Sequence, residues 1–310
     1  PGLNALIRAA NLRRRVDATT IAYVLAPRIN AAGRVGETEA ALRLLTTSDG
    51  AEAEALAARL ERDNRDRRAL DKRTLNEALE QVGEGFDPER DRGLVIAGDG
   101  WHPGVIGIVA SRIVERVFRP AVLVALNGDQ GRGSARSIPG FHLYDAIAAC
   151  AGHLDRFGGH QQAAGLDIKR NQLGAFREAF QAAAADRLVG HDLQPGLEAD
   201  LEIRLDEIPG DFYRYLQYVG PFGQGNPEPV FVTRGVHFDA PPSVTTGGHL
   251  KFSMVQEEVT LGAIGFGLGD HVPLGELGTG LVDVAYTLSE NTYGGSTTVQ
   301  ARALDVRPAA

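Results

Sequence analysis

Along the first third of the chain, apolar residues recur every three or four positions; beyond it they fall into short continuous or alternating runs. The first pattern is that of helices, the second that of strands. Leu3, Leu6, Ile7 and Ala10 share a face and predict a helix over 3–13; residues 37–45 predict another. Between them, Pro27-Arg28-Ile29-Asn30-Ala31-Ala32-Gly33-Arg34 reads as an irregular turn segment. Ser48 or Asp49 is a good N-cap for a helix to about Val82. That helix would be roughly 50 Å long at 1.5 Å per residue. Its apolar stripe is thin (Leu56, Leu60, Leu70, Leu75, Leu79) and the remainder is dense in Arg, Asp and Glu. A helix that polar bridges domains through solvent or is held by opposite charges three or four residues apart. It reads as an interdomain connector with a solvated charged face.

After a Gly/Asp/Pro linker at 83–92, strands and helices alternate. Strands are predicted at 94–97, 121–126, 132–137 and 164–168, and helices from Pro103 to about Phe118, over 142–151 and over 171–188. This alternation predicts an α/β layer structure. From Pro195 the character changes. Short strands are expected around 230–232, 236–238, 250–255, 260–266, 282–288 and 297–303, with turn signals at Gly247-Gly248 and Gly294-Gly295. That spacing predicts a small β-barrel.

Charge alters the picture. The net charge is −8, which by itself speaks against nucleic acid. The distribution speaks for it. Residues 1–36 carry +5 and 101–170 carry +3, whereas 37–100 carry −6 and 171–310 carry −10. A local basic groove on an acidic protein still binds a polyanion. The single cysteine, Cys150, leaves no internal disulfide framework and no cysteine-cluster zinc site. That usage fits a reducing cytoplasm. No apolar run approaches membrane-spanning length. The chain begins Pro1-Gly2 and its one methionine is Met254, as expected of a fragment of a longer protein.

The positive blocks hold the candidate chemistry. Gly131-Arg132-Gly133-Ser134-Ala135-Arg136-Ser137 and Phe157-Gly158-Gly159-His160-Gln161-Gln162-Ala163-Ala164-Gly165 combine bare backbone, hydroxyls, guanidiniums and an imidazole. Glycines let backbone N–H groups approach an anion, and Arg contacts phosphate oxygens in pairs. Ser134 and Arg136 lie two apart on a predicted strand, so they share a face. His102 stands between a strand end and a helix N-terminus, where an anion is favoured. Arg28, Asn30 and Arg34 suit phosphate contact; their plainer reading is helix capping and interdomain hydrogen bonding. The plainer reading of the glycines is two turns. No Asp-His-His, His-Glu-x-x-His, Ser-His-Asp or Walker pattern is present, and Asp270-His271 is isolated, so no catalytic metal site is expected here.

Taken together, PRINAAGR (27–34), GDGWHPGVIGIVASRIVER (98–116), GRGSARSIPGFHLYDAIAAC (131–150), RFGGHQQAAGL (156–166) and GPFGQGNPEPVF (220–231) resemble the RecJ family of single-stranded-DNA-specific exonucleases. The resemblance implies the substrate-binding part of a 5′→3′ exonuclease for recombination and repair. Its Mn²⁺ or Mg²⁺ would be bound by an N-terminal DHH domain not present here, with no metal held by this chain. The implied fold is an α/β DHH-associated domain plus a small β-barrel (an OB-fold), preceded by a long connector helix. The implied divisions are 1–47 (the end of the region joining the DHH domain), 48–92 (connector and linker), 93–192 (α/β domain) and 193–310 (barrel). Carried over by motif, Arg28 or Arg34, with Ser134 and Arg136, would hold a 5′-terminal phosphate. Asn30, His102, Ser137, Gly158 and Gly159 would complete the DNA-binding set, and His160 would lie against the scissile region as the catalytic residue. The implied partners are single-stranded DNA with a 5′-phosphate and a helicase or single-strand-binding protein, with no membrane. Phe231, Phe238, Phe252 and Phe266 are available to stack bases, or to form core. Two alternatives stand beside this: a DHH-type phosphodiesterase of short oligonucleotides or cyclic dinucleotides, and a non-catalytic DNA-binding or scaffold relative.

Overall fold

The structure, a computed structural model, describes residues 1–12, 16–208, 210–270, 272, 274–277, 280–293 and 296–309. The expected turn at Gly294-Gly295 and His271 lie outside the described residues. The chain divides into two compact units, 1–195 and 196–310. No helix among the described residues is long and apolar enough to cross a membrane.

The first unit opens with helices α1 (Gly2–Ala9), α2 (Ala18–Thr20), α3 (Ala26–Val35) and α4 (Thr38–Thr46), of which α1, α3 and α4 pack on the first half of α5 (Gly50–Gly85). Leu6, Leu25, Leu44 and Leu60 and a set of small alanines make this core. The segment 27–34 is therefore helix rather than irregular turn. A π-helical stretch, Ile21–Leu25, feeds directly into it, Pro27 sits in its first turn, and Ala31 and Ala32 are buried. Pro is tolerated in a first turn because its missing N–H has no partner to lose there.

Helix α5 starts where expected. The Asp49 carboxylate accepts from the N–H groups of Ala51 at 2.8 Å and Glu52 at 3.4 Å. Its character is not as expected. After Leu60 the helix buries Asn64, Asp71, Thr74 and Ala78 and packs along α6 (Pro103–Val117). An ion pair crosses the seam, Arg112 to Asp71 at 3.2 Å, and Arg67, one turn earlier on α5, lies 3.9 Å from the same carboxylate. A buried carboxylate paired across helices leaves no mark in a hydrophobic pattern.

The α/β sheet has strand order β1-β2-β3-β5-β4: Leu94–Asp99, Ala121–Asn127, Gln130–Arg136, Ala163–Lys169 and Arg156–Gly159. Only β1 and β2 are parallel, joined through α6. One face is covered by α7 (Leu143–Ala149) and α8 (Leu173–Arg187), with Phe141, Phe176, Phe180 and Ile147 in the core. On the other face, α6 lies over β2 and β3. Phe157-Gly158-Gly159, read from sequence as part of a turn, is edge strand β4. The turn itself is His160 to Gln162, closed by the His160 N–H donating to the Ala163 carbonyl at 2.9 Å.

The second unit holds β6 (Leu201–Glu202), α9 (Phe212–Leu216), β7 (Phe231–Phe238), β8 (Ser243–Val244), β9 (Leu250–Gln256), β10 (Val259–Gly265), α10 (Leu274–Leu277), β11 (Val282–Tyr293) and β12 (Ser296–Pro308). The two runs around 230–232 and 236–238 are a single strand. Gly235, at φ +65°, absorbs the irregularity between them, where β7 pairs with β11. The order β7-β11-β12-β10-β9 closes through pairing of β7 with β9, and β10 runs parallel to β12. This closed five-strand barrel is the expected OB-type fold.

Candidate nucleic-acid interface

Alternation along β3 and β5 decides the site. Gly131, Gly133 and Ala135 face the core, so Arg132, Ser134 and Arg136 face outward on the α6 side. Arg136 Nη1 donates to Ser134 Oγ at 3.1 Å and to the Ala135 carbonyl at 2.8 Å. Burial, and then the positive charge of Arg34, press the Arg136 guanidinium below the usual arginine range. Among the described residues neither Arg34 nor Arg136 pairs with a carboxylate. A half-buried cation held by neutral acceptors and facing a second cation is electrostatically ready for an anion.

Helix α6 abuts these groups at its glycines. A Cβ on Gly107 would fall 2.8 Å from Arg136 Nη2 and 2.9 Å from Ser134 Oγ. Arg34, exposed in the last turn of α3, donates from Nη1 to the Gly104 carbonyl at 3.2 Å. His102 is the N-cap of α6, with Nδ1 accepting from the Gly104 N–H at 3.0 Å. That bond assigns the neutral ring its hydrogen on Nε2.

Next to Ser134 the sheet carries no side chains. Ser134, Gly165 and Gly158 are directly abreast on β3, β5 and β4. A Cβ on Gly158 would meet nothing within 4 Å, and one on Gly165 only the Gly133 carbonyl at 3.9 Å. Neither glycine has positive φ, so the fold does not call for them. Open glycine in a strand leaves room for a ligand to approach the backbone closely. At about 4.8 Å between strands this bare lane is about 10 Å wide. Arg136 borders it on one side. Arg132 and the Arg156–Asp167 ion pair, at 2.5 Å, border the other. Gly159, at φ +152°, has a different role, since a Cβ there would meet the Ala163 carbonyl at 2.3 Å. Beyond it, exposed His160 accepts at Nδ1 from the Gln162 N–H at 3.2 Å, again leaving hydrogen on Nε2.

Of the other sequence candidates, Arg28 and Ser137 are occupied by contacts of their own. Arg28 is buried, its Nε donating to Glu61 at 2.5 Å and Nη1 to the Val24 carbonyl at 2.7 Å. Asn30 is exposed on α3. The Ser137 hydroxyl turns into its own loop, 2.7 Å from the Phe141 carbonyl. Sequence reasoning passed over Arg67 and Arg112. Burial lowers the Arg67 pKa, Asp71 opposes this, and Arg34 and Arg112 are among the cations lowering it further. Their signal was the buried face of α5, which polarity hid. Among the described residues no cluster of three His, Cys, Asp or Glu side chains is placed to hold a metal ion.

In the barrel, Phe231 and Phe252 are core, and Phe238 packs edge-on against Phe252 with centroids 5.3 Å apart. Phe266 is 58% exposed and meets His249 edge-on at 5.1 Å. Lys251, Ile264 and Arg302 are abreast across β9, β10 and β12. The loop after α9 is self-bridged, Asn226 Nδ2 donating to the carbonyls of Val219 at 3.0 Å and Pro221 at 3.1 Å.

Residues 91–186 match the DHHA1 domain model and 199–305 match the RecJ OB domain model. The chain is 37% identical over 309 residues to the single-stranded-DNA-specific exonuclease RecJ of Thermus thermophilus, covering 99% of this chain and 42% of that protein. Crystal structures of Thermus thermophilus RecJ with Mg²⁺ and with Mn²⁺ superpose at TM-scores of 0.83 and 0.84, with 35% and 34% identity. Both cover all of this chain, and 46% and 44% of theirs. The chain spans 32% to 55% of the length of the curated relatives it matches. Both domain models and this agreement over the whole fold place the chain in the RecJ family, of which it carries the long helix, the DHHA1 domain and the OB domain.

Proposed function

We propose that this chain is the strand-holding part of a metal-dependent 5′→3′ single-stranded-DNA exonuclease. Arg136, oriented by Ser134 and backed by Arg34, grips the 5′-terminal phosphate, and the strand runs over the lane of Gly165 and Gly158. The observation that carries this is the Arg136 guanidinium, half-buried and without a carboxylate, beside a strip of sheet that lacks side chains. A terminal phosphate monoester carries about one half to one more negative charge than an internal diester near neutral pH, so uncompensated Arg charge favours the end. The bidentate fork of Arg suits its oxygens. His102 and His160 each offer an Nε2–H. In this reading His102 contacts the phosphate, and His160 donates to an oxygen of the scissile phosphodiester as this chain's catalytic residue.

A divalent cation held by the rest of the longer protein would supply Lewis-acid activation of the attacking water. We assign its ligands to the part of the longer protein outside this chain, joined through the region before residue 48. On the barrel, the exposed ring of Phe266, with Lys251 and Arg302 on the neighbouring strands, offers a stacking surface for bases.

The test compares binding of 5′-phosphorylated and 5′-hydroxyl single strands to wild type and Arg136→Ala, with chelator present. The expected result is a loss of about ten-fold or more for the phosphorylated strand and much less for the other. Equal loss for both would make Arg136 a general backbone contact and refute end recognition.

A further inference from the structure

Helix α5 grips the turn that precedes α6 at points spaced one helical turn apart. Arg73 Nη2 donates to the Gly100 carbonyl at 3.3 Å. Glu77 Oε2 accepts from the indole Nε1 of Trp101 at 2.6 Å. Gln81 Nε2 donates to the Ala97 carbonyl at 3.1 Å. Arg73 and Glu77 also face one another at 3.6 Å. Residues four apart stack on one helix face, so this is a single ladder along one stripe of the connector.

What the ladder holds is specific. Trp101 is buried, and its ring fills the place of a side chain at Gly98, where a Cβ would fall 2.1 Å from Cε2. Gly100, at φ +70°, makes the bend. Trp101 therefore has one seat, and the charge-assisted bond to Glu77 fixes it there. The next residue is His102, whose Nδ1 caps α6. Two residues further, the Gly104 carbonyl receives Arg34.

We propose that Glu77 and Arg73 are positioning residues of the end-binding site: by fixing Trp101 they set where His102 and the first turn of α6 stand, so that preference for a 5′-phosphate depends on the connector helix. This rests on reading the site as a 5′-phosphate site. Neither side chain touches the strand; both act through the turn.

The experiment uses the 310-residue chain, oligo-dT strands bearing a 3′ fluorophore and either a 5′-phosphate or a 5′-hydroxyl, and a chelator to prevent cleavage. Trp101 is the only tryptophan, so its emission reports the turn directly. Glu77→Leu should weaken the phosphorylated strand about ten-fold, the size of one lost charge-assisted hydrogen bond, and shift Trp101 emission to the red. Affinity for the hydroxyl strand should stay within about two-fold. Glu77→Gln, whose amide oxygen still accepts from the indole, should restore both readings. Added to Trp101→Phe, Glu77→Leu should cost nothing further, because the bond is already gone. Arg73→Met, at an exposed position, carries the same test if Glu77→Leu does not fold.

An unchanged phosphate-to-hydroxyl ratio with shifted emission, or unshifted emission, would overturn the proposal. If Arg136→Ala also leaves the ratio unchanged, the phosphate site itself is wrong and the clamp falls with it. If Arg136→Ala collapses the ratio and Glu77→Leu does not, only the clamp is lost.

Discussion

Gly107 of α6 lies against Arg136 of β3 so closely that a Cβ on the glycine would fall 2.8 Å from Nη2. The missing side chain is the space in which the guanidinium and the Ser134 hydroxyl stand. Gly107→Ala should therefore separate folding from binding. Alanine in a helix interior is about 1 kcal/mol better than glycine, so thermal stability should hold or rise. Affinity for a 5′-phosphorylated strand should fall as Arg136 is displaced. A thermal melt and a binding titration on the same sample check this. Unchanged binding would mean that Arg136 has room to move.

The bare lane makes a similar separation possible. Gly165→Val adds a β-branched side chain to a strand position where a Cβ meets only the Gly133 carbonyl, in ordinary contact at 3.9 Å, so folding should be kept or favoured. Binding of single strands should be blocked whatever their 5′ end, because the added bulk covers the sheet itself. Wild-type affinity in a filter or anisotropy assay would exclude the lane as the strand path.

Two phenylalanines of the barrel should behave oppositely. Phe231→Ala removes a buried ring and should cost about 3–5 kcal/mol of stability. Phe266→Ala, at an exposed ring, should leave the denaturation midpoint in place and weaken long strands by about 1–3 kcal/mol if a base stacks there.

Tyr286 gives the barrel a pH signature. Its hydroxyl lies 2.8 Å from Thr233 Oγ1, and Thr233 also reaches the Ile203 carbonyl at 2.8 Å. Burial pushes the phenol up to about 12, against a smaller lowering by Thr233. The folded state thus holds this proton more tightly than the unfolded chain does. The resulting stability is complete below about pH 10 and is lost as pH rises towards 12. Tyr286→Phe should cost about 1 kcal/mol at neutral pH and flatten the loss between pH 10 and 12. Denaturant titrations at pH 8 and 11 read both effects.

The order of helices and strands was legible because each element buries one face, and burial imposes its period on the chain. So was the shared face of Ser134 and Arg136, a consequence of alternation along one strand. The misreadings have local causes. Residues 27–34 contain Pro, Asn and Gly, the residues of turns, but their neighbours supply a π-helical entry and an alanine seam against α5. Phe157 to Gly159 is glycine-rich, yet its backbone is paired with β5.

The sequence by itself determined the family and the α/β and barrel classes, and it singled out 131–137 and 157–165 as candidate phosphate contacts. Periodicity, turn chemistry and residue type are all written locally. Only the tertiary structure decided which of these groups act together. It committed Arg28 to Glu61, 33 positions away, and left Arg34 and Arg136 without a carboxylate among the described residues. It set Ser134, Gly165 and Gly158 abreast, and seated Trp101 on Glu77. Those outcomes depend on strand register and helix packing. Both are fixed by contacts between residues far apart in the chain, and no local pattern encodes them.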